Sequence, residues 1–165
     1  MKIAISDANI FIDLIAIDLI DQFFNLPLDL HTTDLVINEL DHLEQMLLKE
    51  YQQKGSLLIK KMNIDELQSL QSEVIVSKKL SKPDISIYAY AKSIDAIILT
   101  SDKPLRKEAT ARGFEVHGIL WLFEKLIDED LLTKKTAAAK MHELMTINTW
   151  LPKTECHKRI VIWMS

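Results

Sequence analysis

The stretch Met1-Lys2-Ile3-Ala4-Ile5-Ser6-Asp7-Ala8-Asn9-Ile10-Phe11-Ile12-Asp13-Leu14 decides the fold. Lys2–Ser6 is a short apolar run of the kind that forms a buried strand. Residues 8–19 follow at once, with Ile10, Phe11, Leu14, Ile15, Ile17 and Leu19 spread around a helix that is then buried on most sides. Asp7 stands between the two, placed to cap the helix. A buried strand running straight into a buried helix opens a strand–helix–strand unit, and the rest of the chain repeats that alternation.

Residues 28–32 read as the second strand. Residues 35–48 read as a helix, with Leu35, Leu40, Leu43 and Leu47 on or near one face and Thr33 or Asp34 as its cap. Gly55 interrupts a further helical stretch at 50–61, and a short strand is expected within 59–64. Residues 64–72 and 73–80 read as helical pieces, although Val74-Ile75-Val76 also suits extended chain. Ser81-Lys82-Pro83-Asp84 is a capping-box relative with an early proline, and predicts a helix to about Ser93. Residues 96–100 form the next buried strand, Asp102 opens a helix that stops at Gly113, residues 114–117 are a strand, and Gly118 opens an apolar helix at 119–127.

This order predicts a three-layer α/β/α fold with a central, mainly parallel sheet, plus C-terminal helices. Residues 1–127 are the core domain. Residues 128–165 are a helical extension packed on the same domain, with Thr133 capping a helix over 134–145 and a last helix ending near Trp163. Trp121, Trp150 and Trp163 are expected in the core or in the seam between extension and core.

The composition excludes several classes. The chain has 165 residues, 48% hydrophobic and 27% charged, which is the mix of one folded domain rather than of a disordered chain. No apolar run is long enough to cross a bilayer, and the start lacks the features of a signal peptide. A single cysteine, Cys156, rules out a disulfide framework and suits a reducing, cytoplasmic setting. With three glycines there is neither a G-x-G-x-x-G turn nor a P-loop. The net charge is −4 and the pI about 5.7, not the footprint of an ordinary nucleic-acid binder.

The chemistry lies in where particular acids sit. Asp7 directly follows the first strand, and Asp102 follows the strand that includes Ile97-Ile98-Leu99-Thr100. Ligands of open parallel sheets bind outside the carboxyl ends of the strands, so both acids stand at the edge where chemistry is expected. Glu39 lies about a turn into its helix. Asp84 lies in the first turn of the helix before the Asp102 strand; in the simplest layout that start is expected at the opposite edge, unless an irregular segment brings it over. Clustered carboxylates repel one another, and a divalent cation is the usual compensation. Mg²⁺ and Mn²⁺ prefer hard oxygen ligands, and water acidified by such an ion can attack a phosphodiester. Each acid also has a purely structural reading: Asp7 and Asp102 as N-caps, Asp84 as half a capping box, Glu39 as a solvated helix residue.

Four segments taken together resemble the PIN-domain family. Ile5-Ser6-Asp7-Ala8-Asn9-Ile10-Phe11 is similar to its opening strand and helix, and Val36-Ile37-Asn38-Glu39-Leu40 to its second acidic element. Ser81-Lys82-Pro83-Asp84-Ile85-Ser86 resembles the third, and Leu99-Thr100-Ser101-Asp102-Lys103-Pro104-Leu105 the fourth. The resemblance covers residues 1–127 and implies a metal-dependent endoribonuclease of the VapC-like, toxin–antitoxin kind. It implies that Asp7, Glu39, Asp84 and Asp102 form one acidic quartet holding Mg²⁺ or Mn²⁺, with Asn9 and Thr100 as polar neighbours. It implies an RNA substrate, a small antitoxin partner and a homodimer. Residues 43–72 and the extension depart from compact VapC-like toxins, and Gly118-Ile119-Leu120-Trp121 with Asp130-Leu131-Leu132-Thr133 is closer to another branch of prokaryotic PIN proteins, one with a C-terminal helical extension.

Other signals are secondary. Lys78, Lys79, Lys82 and Lys92 surround Asp84 in sequence, and Lys103, Arg106 and Lys107 follow Asp102; they suit either RNA phosphates or a solvated face. Lys82, Lys103 and Arg106 are the candidates for RNA contact. Five histidines without H-x-x-x-H spacing count against zinc, and His31 and His117 read as packing residues. No G-x-S-x-G elbow supports a nucleophilic hydrolase. The competing reading is a non-catalytic nucleic-acid or protein binding module on the same fold. A receiver-like domain is disfavoured because Asp7-Ala8-Asn9 lacks the paired acids it needs.

Overall fold

The computed structural model describes residues 1–73 and 80–165, with side chains described for 1–68 and 80–165. The strands are β1 (Lys2–Ser6), β2 (Leu28–Thr33), β3 (Leu57–Lys60), β4 (Ile97–Leu99) and β5 (Val116–His117). They form one sheet in the order β3-β2-β1-β4-β5, every pair parallel. The first strand is therefore the central one: Ile5 is in register with His31 on one side and Ile98 on the other. Ala4, Ile5 and Ser6 are buried, as a strand covered on both faces must be.

The helices are α1 (Ala8–Ala16), α2 (Ile20–Phe24), α3 (Asp34–Ile37), α4 (His42–Gln53), α5 (Ile64–Glu73), α6 (Lys82–Ile94), α7 (Lys103–Ala111), α8 (Ile119–Asp128), α9 (Lys134–Ile147) and α10 (Lys153–Met164). They make the three-layer α/β/α arrangement. Helix α6 packs across β1, β2 and β4. Helices α9 and α10 pair with each other, and α9 packs on α1 and α8. One hydrophobic cluster takes in Ile5, Phe11 and Ile98 of the sheet and its helices together with Met141, Leu144, Cys156 and Trp163 of the extension. Phe123 of α8 stacks on Trp163 of α10 at 5.8 Å.

Several elements differ from the expectations. The helix over 8–19 ends at Ala16, because Asp18 turns left-handed (φ 57°) and the chain restarts as α2. The helix over 35–48 divides in two. Asp41 accepts from the Glu44 backbone while Glu44 accepts from the Asp41 backbone, so a complete capping box starts α4 anew. The third strand lies at 57–60 rather than within 59–64, directly after Gly55 ends its helix with φ +80°. Trp150 is 91% exposed and belongs to neither core nor seam; its backbone is held on a turn by the Asn148 side chain. Trp121 is half-buried and stacks on His117 at 4.0 Å. The alternatives for 74–76, and Lys78 and Lys79, lie outside the described residues.

Candidate active site

In an all-parallel sheet every strand delivers its following residue to the same edge. Asp7, Asp34, Thr100 and Gly118 therefore all emerge at the carboxyl edge. β1 and β4 are neighbours although the chain visits β2 and β3 between them, and a crevice opens at such a reversal of strand order. Asp7 and Thr100 stand on its two lips.

Asp7 is 4% exposed. Its backbone N–H donates to the Leu99 carbonyl at 2.9 Å, extending the β1–β4 pairing by one step. One carboxylate oxygen accepts from the Ala8 N–H at 2.7 Å and the other from the Thr100 hydroxyl at 2.7 Å. The Thr100 oxygen in turn accepts from the Asp102 N–H at 3.1 Å. Burial pushes the Asp7 carboxyl up from 3.8 to about 6; the two hydrogen bonds oppose that shift, and the charges of Asp84 and Glu39 add to it. Asp102 caps α7 by accepting from the Leu105 N–H at 3.0 Å.

Asp84 reaches the same edge, which corrects the expectation that α6 starts at the opposite one. A helix that ends where a parallel strand begins must itself start at that strand's carboxyl end. The placement is locked by two buried hydroxyls. Ser86 donates to the Pro83 carbonyl at 2.6 Å, which leaves its oxygen to accept from Thr33 at 2.7 Å, and Thr33 also caps α3 by accepting from the Val36 N–H. Thr33 is the last residue of β2, so this chain of bonds ties the first turn of α6 to the end of that strand. Asp84 completes a capping box with Ser81. Its carboxyl is raised by burial, with Asp102 adding to the rise against the Ser81 hydrogen bonds.

Glu39 does not sit inside a helix. It lies exposed on the turn between α3 and α4, a consequence of the fresh start at Asp41. Its carboxyl is raised by desolvation, then by Asp84 and Asp102. Of these acids, Asp84 and Glu39 act electrostatically on Asp7, Asp84 and Asp102 on Glu39, and Asp102 on Asp84. Among the described residues, no three histidine, cysteine, aspartate or glutamate side chains converge closely enough to hold an ion as they stand. The donor chemistry suits a hard divalent cation: the oxygens belong to carboxylates whose charges oppose one another. The structural readings of Asp7, Asp102 and Asp84 hold as well, since all three cap helices.

Asn9 is exposed in the first turn of α1, two residues after Asp7. Lys82, Lys103, Arg106 and Lys107 are exposed at the helix starts around the acids. Lys92 is not among them; it lies in the last turn of α6, at the other edge of the sheet, where it lines a groove of about 790 Å³ with Lys2 and Phe114. That groove shares no residue with the acidic site. His31 is buried against the Tyr90 hydroxyl at 2.7 Å, and His117 is half-buried against Trp121.

Asp13 was not singled out by its sequence pattern. It is 5% exposed on α1, and both its oxygens accept from the Asn148 side-chain amide of the extension, at 3.2 and 3.1 Å. Burial raises it to about 6. A carboxylate inside the run Ile10-Phe11-Ile12-Asp13-Leu14 was a visible signal; its partner, 135 residues away, was not.

A family model described as "DUF3368: PIN domain" matches residues 3–164. The chain belongs to the PIN-domain family. PIN domains are generally nucleases, so the acidic crevice belongs to a nuclease-type module. The family match runs through the C-terminal helices as well as the sheet. Among solved structures, this PIN domain is similar to PAE2754 from Pyrobaculum aerophilum, with 18% identity and a TM-score of 0.51 over 77% of this chain and 96% of that one. It is similar too to a domain of a functionally unknown protein from Methanocaldococcus jannaschii, with 20% identity and a TM-score of 0.50 over 72% and 91%. At these identities the likeness concerns the fold. A comparison with curated proteins finds no match. No helix among the described residues is long and apolar enough to cross a membrane.

Proposed function

We propose that this PIN domain is a divalent-metal-dependent endoribonuclease, with Asp7, Glu39, Asp84 and Asp102 as the residues that hold Mg²⁺ or Mn²⁺. The observation that supports the reading is the raised proton affinity of Asp7, Glu39 and Asp84, each raised mainly by burial and in part by the charge of another of the four acids. A cation relieves that repulsion, and when bound it supplies neutralisation of a phosphodiester and an acidified water. Asp7 is the fixed member, held by Ala8 and Thr100. Glu39 is the exposed one, on a turn where its side chain is free of helix packing. Asp84 and Asp102 each commit one oxygen to a cap and keep the other for a ligand. Thr100 orients Asp7, and Asn9 is the polar group beside the crevice for a ligand or its water.

The substrate is RNA, drawn by the cations at the rim. The VapC-like resemblance adds an antitoxin that would cover the crevice, and a homodimer. The test is cleavage of RNA with Mg²⁺ or Mn²⁺ by the wild type, Asp7→Asn and Asp102→Asn. Loss in both variants supports the site, and unchanged activity in both rejects it.

The separation of the four side chains favours a second reading, a binding module that keeps the acids without catalysis. Calorimetric titration with Mn²⁺ separates the two. Binding that disappears in Asp7→Asn supports the enzyme; no binding at millimolar Mn²⁺ supports the module.

A further inference from the structure

Gly118 is the one glycine here whose backbone makes no demand for glycine. Gly55 and Gly113 have φ of +80° and +88°, where a side chain is strained, and open space around them. Gly118 has φ −112° and ψ −165°, extended backbone that any residue adopts. Its neighbourhood supplies the reason instead. A Cβ at Gly118 would stand 3.1 Å from Arg106 Nη1, 3.8 Å from Arg106 Cζ and 3.4 Å from the Thr100 carbonyl oxygen. The Arg106 guanidinium therefore lies across the bare face of Gly118, at the carboxyl edge of β4 and β5.

That position adjoins the acids. Thr100 contributes its carbonyl to this pocket and its hydroxyl to Asp7. Arg106 stands one turn after Asp102 and donates its backbone N–H to the Asp102 carbonyl at 2.9 Å. Its side chain has no ion-pair partner among the described residues, unlike Arg159, which pairs with Glu124 and Glu155. An anionic strand approaching four carboxylates needs a cation at the rim. A planar guanidinium with a defined resting place suits a phosphate better than a lysine free to rotate, because its two parallel N–H groups match two phosphate oxygens.

We propose that Arg106 is the phosphate-binding residue that holds the RNA backbone beside the acidic crevice, and that Gly118 is its positioning residue, glycine so that the guanidinium can lie there. The inference rests on the ribonuclease reading and names how that site would grip its substrate. Gly118→Ala keeps an allowed backbone but sets a Cβ 3.1 Å from Arg106 Nη1, so the guanidinium must shift by a few tenths of an ångström and the variant should reproduce part of the Arg106→Ala effect.

The experiment measures binding without cleavage. All proteins carry Asp7→Asn, and a fluorescently labelled single-stranded RNA oligonucleotide is titrated in Mg²⁺ at several salt concentrations, with anisotropy as the readout. Arg106→Ala should weaken binding about tenfold at low salt and lower the salt slope by about one. Arg106→Lys should keep the slope and lose part of the affinity. Gly118→Ala should weaken binding severalfold alone and not at all in the Arg106→Ala background. Equal affinity and slope for parent and Arg106→Ala would overturn the inference while leaving the ribonuclease reading intact. Additive effects of Gly118→Ala and Arg106→Ala would overturn the positioning role. A parent that binds no RNA at low salt would sink the ribonuclease reading and this inference with it.

Discussion

The Thr100 hydroxyl donates to the Asp7 carboxylate at 2.7 Å and closes the gap between the ends of β1 and β4. This single bond stabilises the charged form of a carboxyl that burial would otherwise neutralise. In EDTA at pH 7.5, Thr100→Val should lower unfolding stability by about 1.5–3 kcal/mol, the usual worth of a hydrogen bond to a charged group. The loss should be smaller at pH 4, where Asp7 is protonated in the fold. Urea unfolding at the two pH values checks it.

Asp7 itself opposes folding when charged. Its folded value, about 6, lies above the ordinary 3.8, so the folded chain holds the proton over that window and the unfolded chain has lost it. Stability should therefore fall as pH rises from about 4 to about 6, then level off. Asp7→Asn should remove that penalty, worth about 3 kcal/mol at pH 7.5, while abolishing RNA cleavage. A variant that is more stable in EDTA and inactive with Mg²⁺ marks a residue placed for function rather than for the fold.

Asp13 follows the same sign, again through burial, but with no other carboxylate among the groups acting on it. Asp13→Asn should raise the melting temperature at pH 8 and leave it unchanged near pH 4. Cleavage activity should not change, since Asp13 faces Asn148, the residue that ends α9, rather than the crevice.

Ser86→Ala should expose the role of the Thr33–Ser86–Pro83 chain. It leaves the Thr33 hydroxyl buried without its acceptor, at a cost of about 1–3 kcal/mol, and loosens the turn that carries Asp84. Reduced cleavage beyond what the stability loss explains, read at a temperature where the variant is fully folded, would show that this chain of bonds positions the acid.

Trp163→Ala removes a buried ring stacked on Phe123 and should cost about 3–5 kcal/mol. Because extension and core share one hydrophobic cluster, thermal unfolding should remain a single transition shifted downward. Two separated transitions would show that α9 and α10 fold on their own.

Local signals carried much of this site into view. Asp7, Asp102 and the Ser81–Asp84 box are caps whose residue types announce helix starts, and strands such as Ile97–Leu99 are apolar runs too short for anything else. The leucines over 35–48 continue the helical spacing through Asn38 and Glu39, and that spacing masks the D-x-x-E signal at Asp41 where α4 starts. The break after Ala16 was illegible for a similar reason: Asp18 turns left-handed within an unbroken apolar pattern. The edge on which Asp84 stands was a matter of helix direction, which the topology fixes and periodicity does not. Asp13 with Asn148, Thr33 with Ser86 and Arg106 with Gly118 are pairings made by the fold, and no window along the chain contains their reason.

The order of the strands also sets a schedule. β1 is made first yet lies in the centre, and its partner β4 arrives only with residues 97–99. Asp7 and Thr100 thus meet across a loop of more than ninety residues, a slow closure compared with any local element. During synthesis the chain holds Asp7 and Glu39 long before it holds Asp84 and Asp102. A nascent chain on the ribosome, surrounded by RNA, lacks the last of these acids until residue 102 has been added.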